Sequence, residues 1–143
     1  MSGNITFTMI KPEAMRNGAG GAILKMIQDG GFEIIALKMK QLSKSEAKEF
    51  YGVHKGKPFY DKLVEFMTSG PIIAAILNKS NAVEDYRKLL GSTNPETAEE
   101  GTIRRAFATD MTMNAAHGSD SDENALIEAK FHFTKDEIFN TVL

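Results

Sequence analysis

Three β-rich stretches, each bounded at one end by a proline or glycine break and separated by segments of helical period, constrain this chain most. Ile5-Thr6-Phe7-Thr8-Met9-Ile10 alternates, then stops at Lys11-Pro12-Glu13. Proline there ends strand pairing and forces Lys11 to be extended. Phe32 to Leu42 reads as a long second strand, and Pro71 to Leu77, after Gly70, as a buried third. Ala106 to Met113 is weakly patterned, and a fourth short strand is expected close to Asn114–Asp120. Strands split by helices, without a long βα repeat, point to an α/β sandwich. The expected architecture is one antiparallel four-stranded sheet covered by helices, in a single domain over residues 1–143.

The helices announce themselves by caps and stripes. Asn17 to Gly21 leads into a helix with Ile23, Met26 and Ile27 on one face, ended by Gly30-Gly31. Its glycine-rich entry lacks the G-x-x-x-x-G-K-[ST] pattern of a phosphate loop and reads as a flexible connection. Ser43 and Glu46 form a capping box for the next helix, whose stripe is Ala47, Phe50, Tyr51 and His54. Pro58 is expected as the first residue of a third helix, with Phe59, Leu63, Phe66 and Met67 inward. Asn81 is expected to cap a fourth, with Val83, Tyr86 and Leu90 inward and Arg87 at the stripe's edge. Asp120 and Glu123 stand at capping-box spacing before a last helix. Beyond it Phe131, His132, Phe133, Ile138 and Phe139 read as packing anchors, His132 as structural.

Composition removes several classes of chemistry. With no cysteine, thiol catalysis, disulfides and thiolate metal sites are excluded. A net charge of −2 provides no basic field, so no nucleic-acid partner is expected. The polar opening Met1-Ser2-Gly3-Asn4 and the shortness of the longest apolar run, Ile72 to Leu77, imply no membrane association and a cytoplasmic protein. No carboxylate cluster suggests a dedicated metal cage.

The scarcity of arginine makes each one worth placing. There are four arginines, Arg16, Arg87, Arg104 and Arg105, and the guanidinium fork is the usual binder of phosphate oxygens. Lys11, held at a strand end, is a candidate anion contact or simply a solvated lysine. The turn-rich run from Gly91 to Gly101 is long for a structureless loop and delivers Thr102-Ile103-Arg104 at a short helical start. In Asn114-Ala115-Ala116-His117-Gly118-Ser119-Asp120 a histidine lies among small residues, one of only three in the chain. Gly118 would let the backbone bend sharply there and present the imidazole. A turn histidine bonded to its own loop is the alternative.

Thr8-Met9-Ile10-Lys11-Pro12-Glu13, Gly101-Thr102-Ile103-Arg104 and Asn114-x-x-His117-Gly118-Ser119-Asp120, in this order, closely resemble the nucleoside diphosphate kinase family. The likeness runs from about Ile5 to Phe133. It implies a ferredoxin-like core and transfer of a γ-phosphate between nucleotides through a phosphohistidine on His117. By that likeness Glu128 and Ser119 steer the histidine. Lys11, Arg87, Thr93 and Arg104 match phosphate and sugar contacts, and Asn114 with Lys11 matches the ribose contacts. Tyr51 and His54 match the phosphate side of the pocket, and Phe59 the aromatic that stacks on the base. Nucleoside di- and triphosphates are the implied partners, with Mg²⁺ carried on their phosphates. A homo-oligomer is also implied, a hexamer ahead of a tetramer.

Two departures stand out. Many relatives have proline where this chain has Glu100, which should loosen the loop and add negative charge near the phosphates. The tail after Phe139 lacks an extension that some relatives use between subunits. Two other readings compete: a catalytically silent nucleotide-sensing or interaction module of the same fold, and a histidine phosphocarrier that passes phosphate to a protein. The second leaves Phe59, Thr93 and Arg87 without a purpose.

Overall fold

The computed structural model describes residues 3–139; Met1, Ser2 and the tail after Phe139 lie outside the described residues. The strands are β1 (Ile5–Ile10), β2 (Glu33–Lys40), β3 (Ile72–Asn78) and β4 (Ala116–Gly118). The α-helices are α1 (Pro12–Arg16), α2 (Gly20–Asp29), α3 (Lys44–Phe50), α4 (Tyr60–Met67), α5 (Ala82–Leu90), α6 (Ile103–Phe107) and α7 (Asp122–His132). The strands form one antiparallel sheet in the order β2-β3-β1-β4. That is the ferredoxin-like order. None of the helices among the described residues is long and apolar enough to cross a membrane.

β1 is central, and both of its faces are covered. Ile5, Phe7 and Met9 point to a core shared with β3 residues Ile72, Ala74 and Ile76 and with α3, α4 and α7. On the other face Ile10 meets Ala75 and Leu77, Ile23 and Ile27 of α2, and Tyr86 and Leu90 of α5. Its alternation therefore does not mark a half-wet strand. Thr6 and Thr8 are as buried as their apolar neighbours. Thr8 belongs there because its hydroxyl is bonded on both sides: it lies 2.7 Å from Tyr86 Oη and donates to the His117 carbonyl at 2.7 Å. With its one proton committed to the carbonyl, Thr8 takes its second bond from the tyrosine.

Local signals were followed where backbone chemistry decides alone. Ser43 accepts from the Glu46 N–H and Glu46 accepts from the Ser43 N–H, a complete capping box. Elsewhere tertiary contacts redrew the boundaries. Pro12 begins the short α1, which no periodicity announced. Pro58 stands outside α4, whose cap is Phe59; the buried face is Tyr60, Leu63, Val64 and Met67, and Phe59 is 46% exposed. α3 stops at Phe50, so Tyr51 and His54 sit on the turn that follows it. Asn81 precedes α5 in the left-handed conformation, and its side chain donates to Glu84 rather than accepting from the helix. The last helix is capped by Ser121, which accepts from the Asn124 N–H, while Asp120 instead accepts from the Asn124 side chain. Phe133 is buried and Ile138 packs on the core, but Phe139 is 84% exposed and is tied down through its backbone N–H, which donates to the Ile35 carbonyl at 2.8 Å.

Candidate active site

His117 lies on β4, opposite Met9 of β1, at the open edge of the sheet. The bend that presents it is at Ala115, with φ +74°, and not at Gly118. Ala116 N–H bonds back to the Asn114 carbonyl at 2.9 Å, closing a three-residue turn of the strained kind. Gly118 serves another purpose. A Cβ there would stand 2.6 Å from Leu90 Cδ1 and 3.1 Å from Tyr86, so a side chain at this position would have to displace the buried Leu90 for β4 to lie this close to α5.

The imidazole is held from one side. Its Nε2 is 2.9 Å from Glu128 Oε1 on α7, and Ser119 Oγ donates to the same oxygen at 2.6 Å. Ser119 is oriented in turn by accepting the Phe7 N–H at 3.2 Å. A carboxylate can only accept here, so Nε2 carries the proton and the lone pair is on Nδ1. Phe7 and Phe50 flank the ring at 6.0 and 5.5 Å between centroids.

Positive charge gathers around the same hollow as His117. Lys11 is buried, its Nζ donates to Asn114 Oδ1 at 2.8 Å, and its pKa is pushed down to about 8. Burial is the first cause and the Arg104 charge the second. Arg104, from α6, is held by donating to the carbonyls of Gly91 at 3.1 Å and Ala116 at 3.0 Å. Its Nε is buried without a partner, and burial lowers its pKa, with Arg87 acting in the same direction. Cations that repel one another around a hollow are stabilised by an anion entering it. Arg105 faces away: it donates to the Glu96 carbonyl and lies 4.0 Å from Glu100. The Glu100 carboxylate is thus turned to Arg105 and does not line the hollow.

That hollow is a cavity of about 780 Å³. Lys11, Tyr51, His54, Phe59, Arg87 and Thr93 line it, as do Arg104, Asn114, His117 and Glu128. Of the residues the family resemblance assigned to the site, Ser119 alone lies behind the wall, fully buried. At the outer end Phe59 packs its ring 5.2 Å from His54. The Tyr51 hydroxyl is buried without a partner, and its pKa is raised by burial and then by Glu128. Met111 and Thr112 also line the cavity, from the stretch that showed no pattern. So do Asn124, Ile127 and Phe131 of α7. Their spacing of three and four from Glu128 or from each other was the available sign.

Comparison with known proteins accords with this geometry. The family model described as nucleoside diphosphate kinase matches residues 4–138. The nucleoside diphosphate kinase of Flavobacterium psychrophilum is 56% identical over 139 residues, covering 97% of this chain and all of that one. That of Lawsonia intracellularis is 51% identical over 128 residues, 90% of this chain and 93% of its own length. Among solved structures, the Aquifex aeolicus nucleoside diphosphate kinase superposes with a TM-score of 0.92 at 43% identity, covering 94% of this chain and 98% of that one. A Halobacterium salinarum nucleoside diphosphate kinase in complex with CDP gives 0.89 at 33% identity, covering 95% and 91%.

Proposed function

The chain belongs to the nucleoside diphosphate kinase family and is an enzyme of that activity; on that premise we propose that it works by ping-pong transfer through His117. Nδ1 attacks the γ-phosphorus of a nucleoside triphosphate. The N–P bond forms as the bond from that phosphorus to the β-bridging oxygen breaks, and the electron pair leaves on the diphosphate. A second diphosphate then takes the phosphoryl group back by the reverse step. The covalent intermediate lets one pocket serve both partners in turn.

Such a transfer needs alignment and donors for the equatorial oxygens more than it needs other chemistry. Lys11, Arg87, Thr93 and Arg104 fill that role toward the phosphates, with Tyr51 and His54 beside them. Asn114 and Lys11 meet the ribose hydroxyls, and Phe59 stacks on the base. Glu128, seconded by Ser119, keeps the proton on Nε2 and stabilises the ring as Nδ1 takes up phosphorus. Mg²⁺ enters as part of the substrate, on the nucleotide phosphates, where it neutralises their charge. Among the described residues no group of three or more histidines and carboxylates could hold a metal ion by itself.

The observation that carries this reading is that Lys11 and Arg104 line one cavity with a histidine whose Nε2 is tied to Glu128. The test is labelling. Incubation with Mg·ATP should leave an acid-labile, base-stable phosphate on His117, removable by ADP. A label that persists in His117→Ala, or that sits on a serine, overturns the assignment. The same proposal includes a cytoplasmic enzyme of one domain and a closed homo-oligomer, a hexamer ahead of a tetramer. β2 supports the assembly, being an edge strand with Leu37 and Met39 exposed. A fully active monomer in sedimentation would overturn it.

A further inference from the structure

Glu13 takes no part in the mechanism above, yet it is buried, and its Oε2 has no hydrogen-bond partner. A buried carboxylate with one oxygen unpaired is costly. Its Oε1 accepts the Ala115 N–H at 3.0 Å. Ala115 is also gripped through its carbonyl, which accepts the Lys11 N–H at 2.8 Å. The two bonds come from one strand-to-helix corner and close on the single residue with φ +74° between Asn114 and Ala116. A strained residue persists only where its surroundings over-determine it, and this corner does so. On one side of it Asn114 receives the Lys11 ammonium; on the other β4 carries His117.

A neutral amide could accept the Ala115 N–H equally well. What a carboxylate adds is charge, and the charge lies beside Lys11. We infer that Glu13 is a positioning residue of the phosphate site: its Oε1 holds the Ala115 turn that sets Asn114 and His117, and its negative charge sustains the Lys11 ammonium. The inference rests on the proposal that Lys11 meets the nucleotide phosphates.

The electrostatics agree in direction. Burial and the Arg104 charge push the Lys11 pKa down, while Glu13 first and Asp110 second push it up. Glu13 is itself raised by burial; the Ala115 N–H, Lys11 and Arg16 pull it back toward the ionised form, and Asp110 opposes them. A lysine at about 8 sits close to working pH. Losing one compensating charge would therefore deprotonate it where the enzyme operates.

The test is the pH profile of kcat/KM, which reports groups of the free enzyme. The wild type should show an alkaline limb near the Lys11 pKa of about 8. Glu13→Gln keeps an acceptor for Ala115 and removes the charge, so its limb should move to lower pH by about one unit, the scale of one nearby charge. Glu13→Ala should show the same displaced limb, with a further drop in kcat of about tenfold from the unpaired Ala115 N–H. Glu13→Asp keeps the charge and should hold the limb in place. A merely structural glutamate would lower melting temperature in these variants and leave the limb still. A wild-type limb in the Gln variant, or in the Ala variant should Gln not fold, overturns the inference, as does a displaced limb in the Asp variant. Wild-type turnover and His117 labelling are measured alongside: their failure sinks the proposed reaction, whereas their success with unmoved limbs sinks only the role of Glu13.

Discussion

His117 and His132 both lie against Phe7, and nearly everything else about them differs. His117 stands at an angle to the Phe7 ring, ties Nε2 to Glu128 and lines the cavity. His132 is stacked flat on Phe7 at 4.9 Å and 2°, closed in by Phe50 and Phe131, with neither ring nitrogen bonded. Burial, reinforced by the Lys40 charge, lowers its pKa to about 4, so at neutral pH it is an uncharged flat ring. One residue type is thus a hydrogen-bonded ring lining a cavity in one place and an aromatic filler in the other. The difference lies in the neighbours: a carboxylate and an opening for one, aromatic rings for the other.

The sharpest way to break this comparison is to remove each imidazole. His117→Ala should lower turnover by about four orders of magnitude or more, as losing a covalent nucleophile does. His132→Phe should leave it within about threefold, since a ring of similar size still covers Phe7. Comparable losses in steady-state assays would mean that His132 is not a filler.

Next in size is the pair Arg104 and Arg105, adjacent in sequence and opposed in space. Arg104→Ala should cost about two to three orders of magnitude in kcat/KM, the range for one strong transition-state donor. Arg105→Ala removes contacts to Glu96 and Glu100 on the loop's outer side and should be nearly silent. Equal damage would contradict the direction in which α6 aims its side chains.

Phe59→Ala should weaken all donors by about one to two orders of magnitude, because stacking on a base is worth roughly 1–3 kcal/mol. In the wild type ATP, GTP, CTP and UTP should serve within about two orders of one another, purines ahead, and the variant should lose that purine advantage. Donor kinetics in which one base is accepted and three rejected thousands-fold would reveal an edge-reading group in the pocket.

The last effect is on stability rather than turnover, and it belongs to His132. Its folded pKa of about 4 lies below the ~6.5 of an unfolded histidine. As pH falls below ~6.5 the unfolded chain takes up a proton that the folded chain refuses until about 4. The wild type should therefore lose stability across that window, by on the order of 3 kcal/mol, and the loss should level off below it. His132→Phe should melt with a flatter pH dependence over the same range. Parallel melting curves for the two proteins would show that His132 is protonated without penalty.

Much of this was legible in the residues themselves. Alternation and breaks located three strands, and Ser43 with Glu46 declared a helix start, because those effects act between residues close in sequence. The pieces carrying Lys11, Arg104 and His117 were recognisable by order and spacing, and they converge on one cavity. Other features belong to the fold. α1 is a single turn, too short to show a period. Phe59 lies outside α4 because Tyr60 takes the buried position. Ala115, not the glycine three residues on, adopts the left-handed turn, because Lys11 and Glu13 grip it from a corner about a hundred residues earlier. Gly118 reads as a hinge in sequence and is a contact surface in space. Local chemistry determines where the chain can turn; only long-range packing and hydrogen bonding decide where strain is held and toward which residue a side chain is aimed.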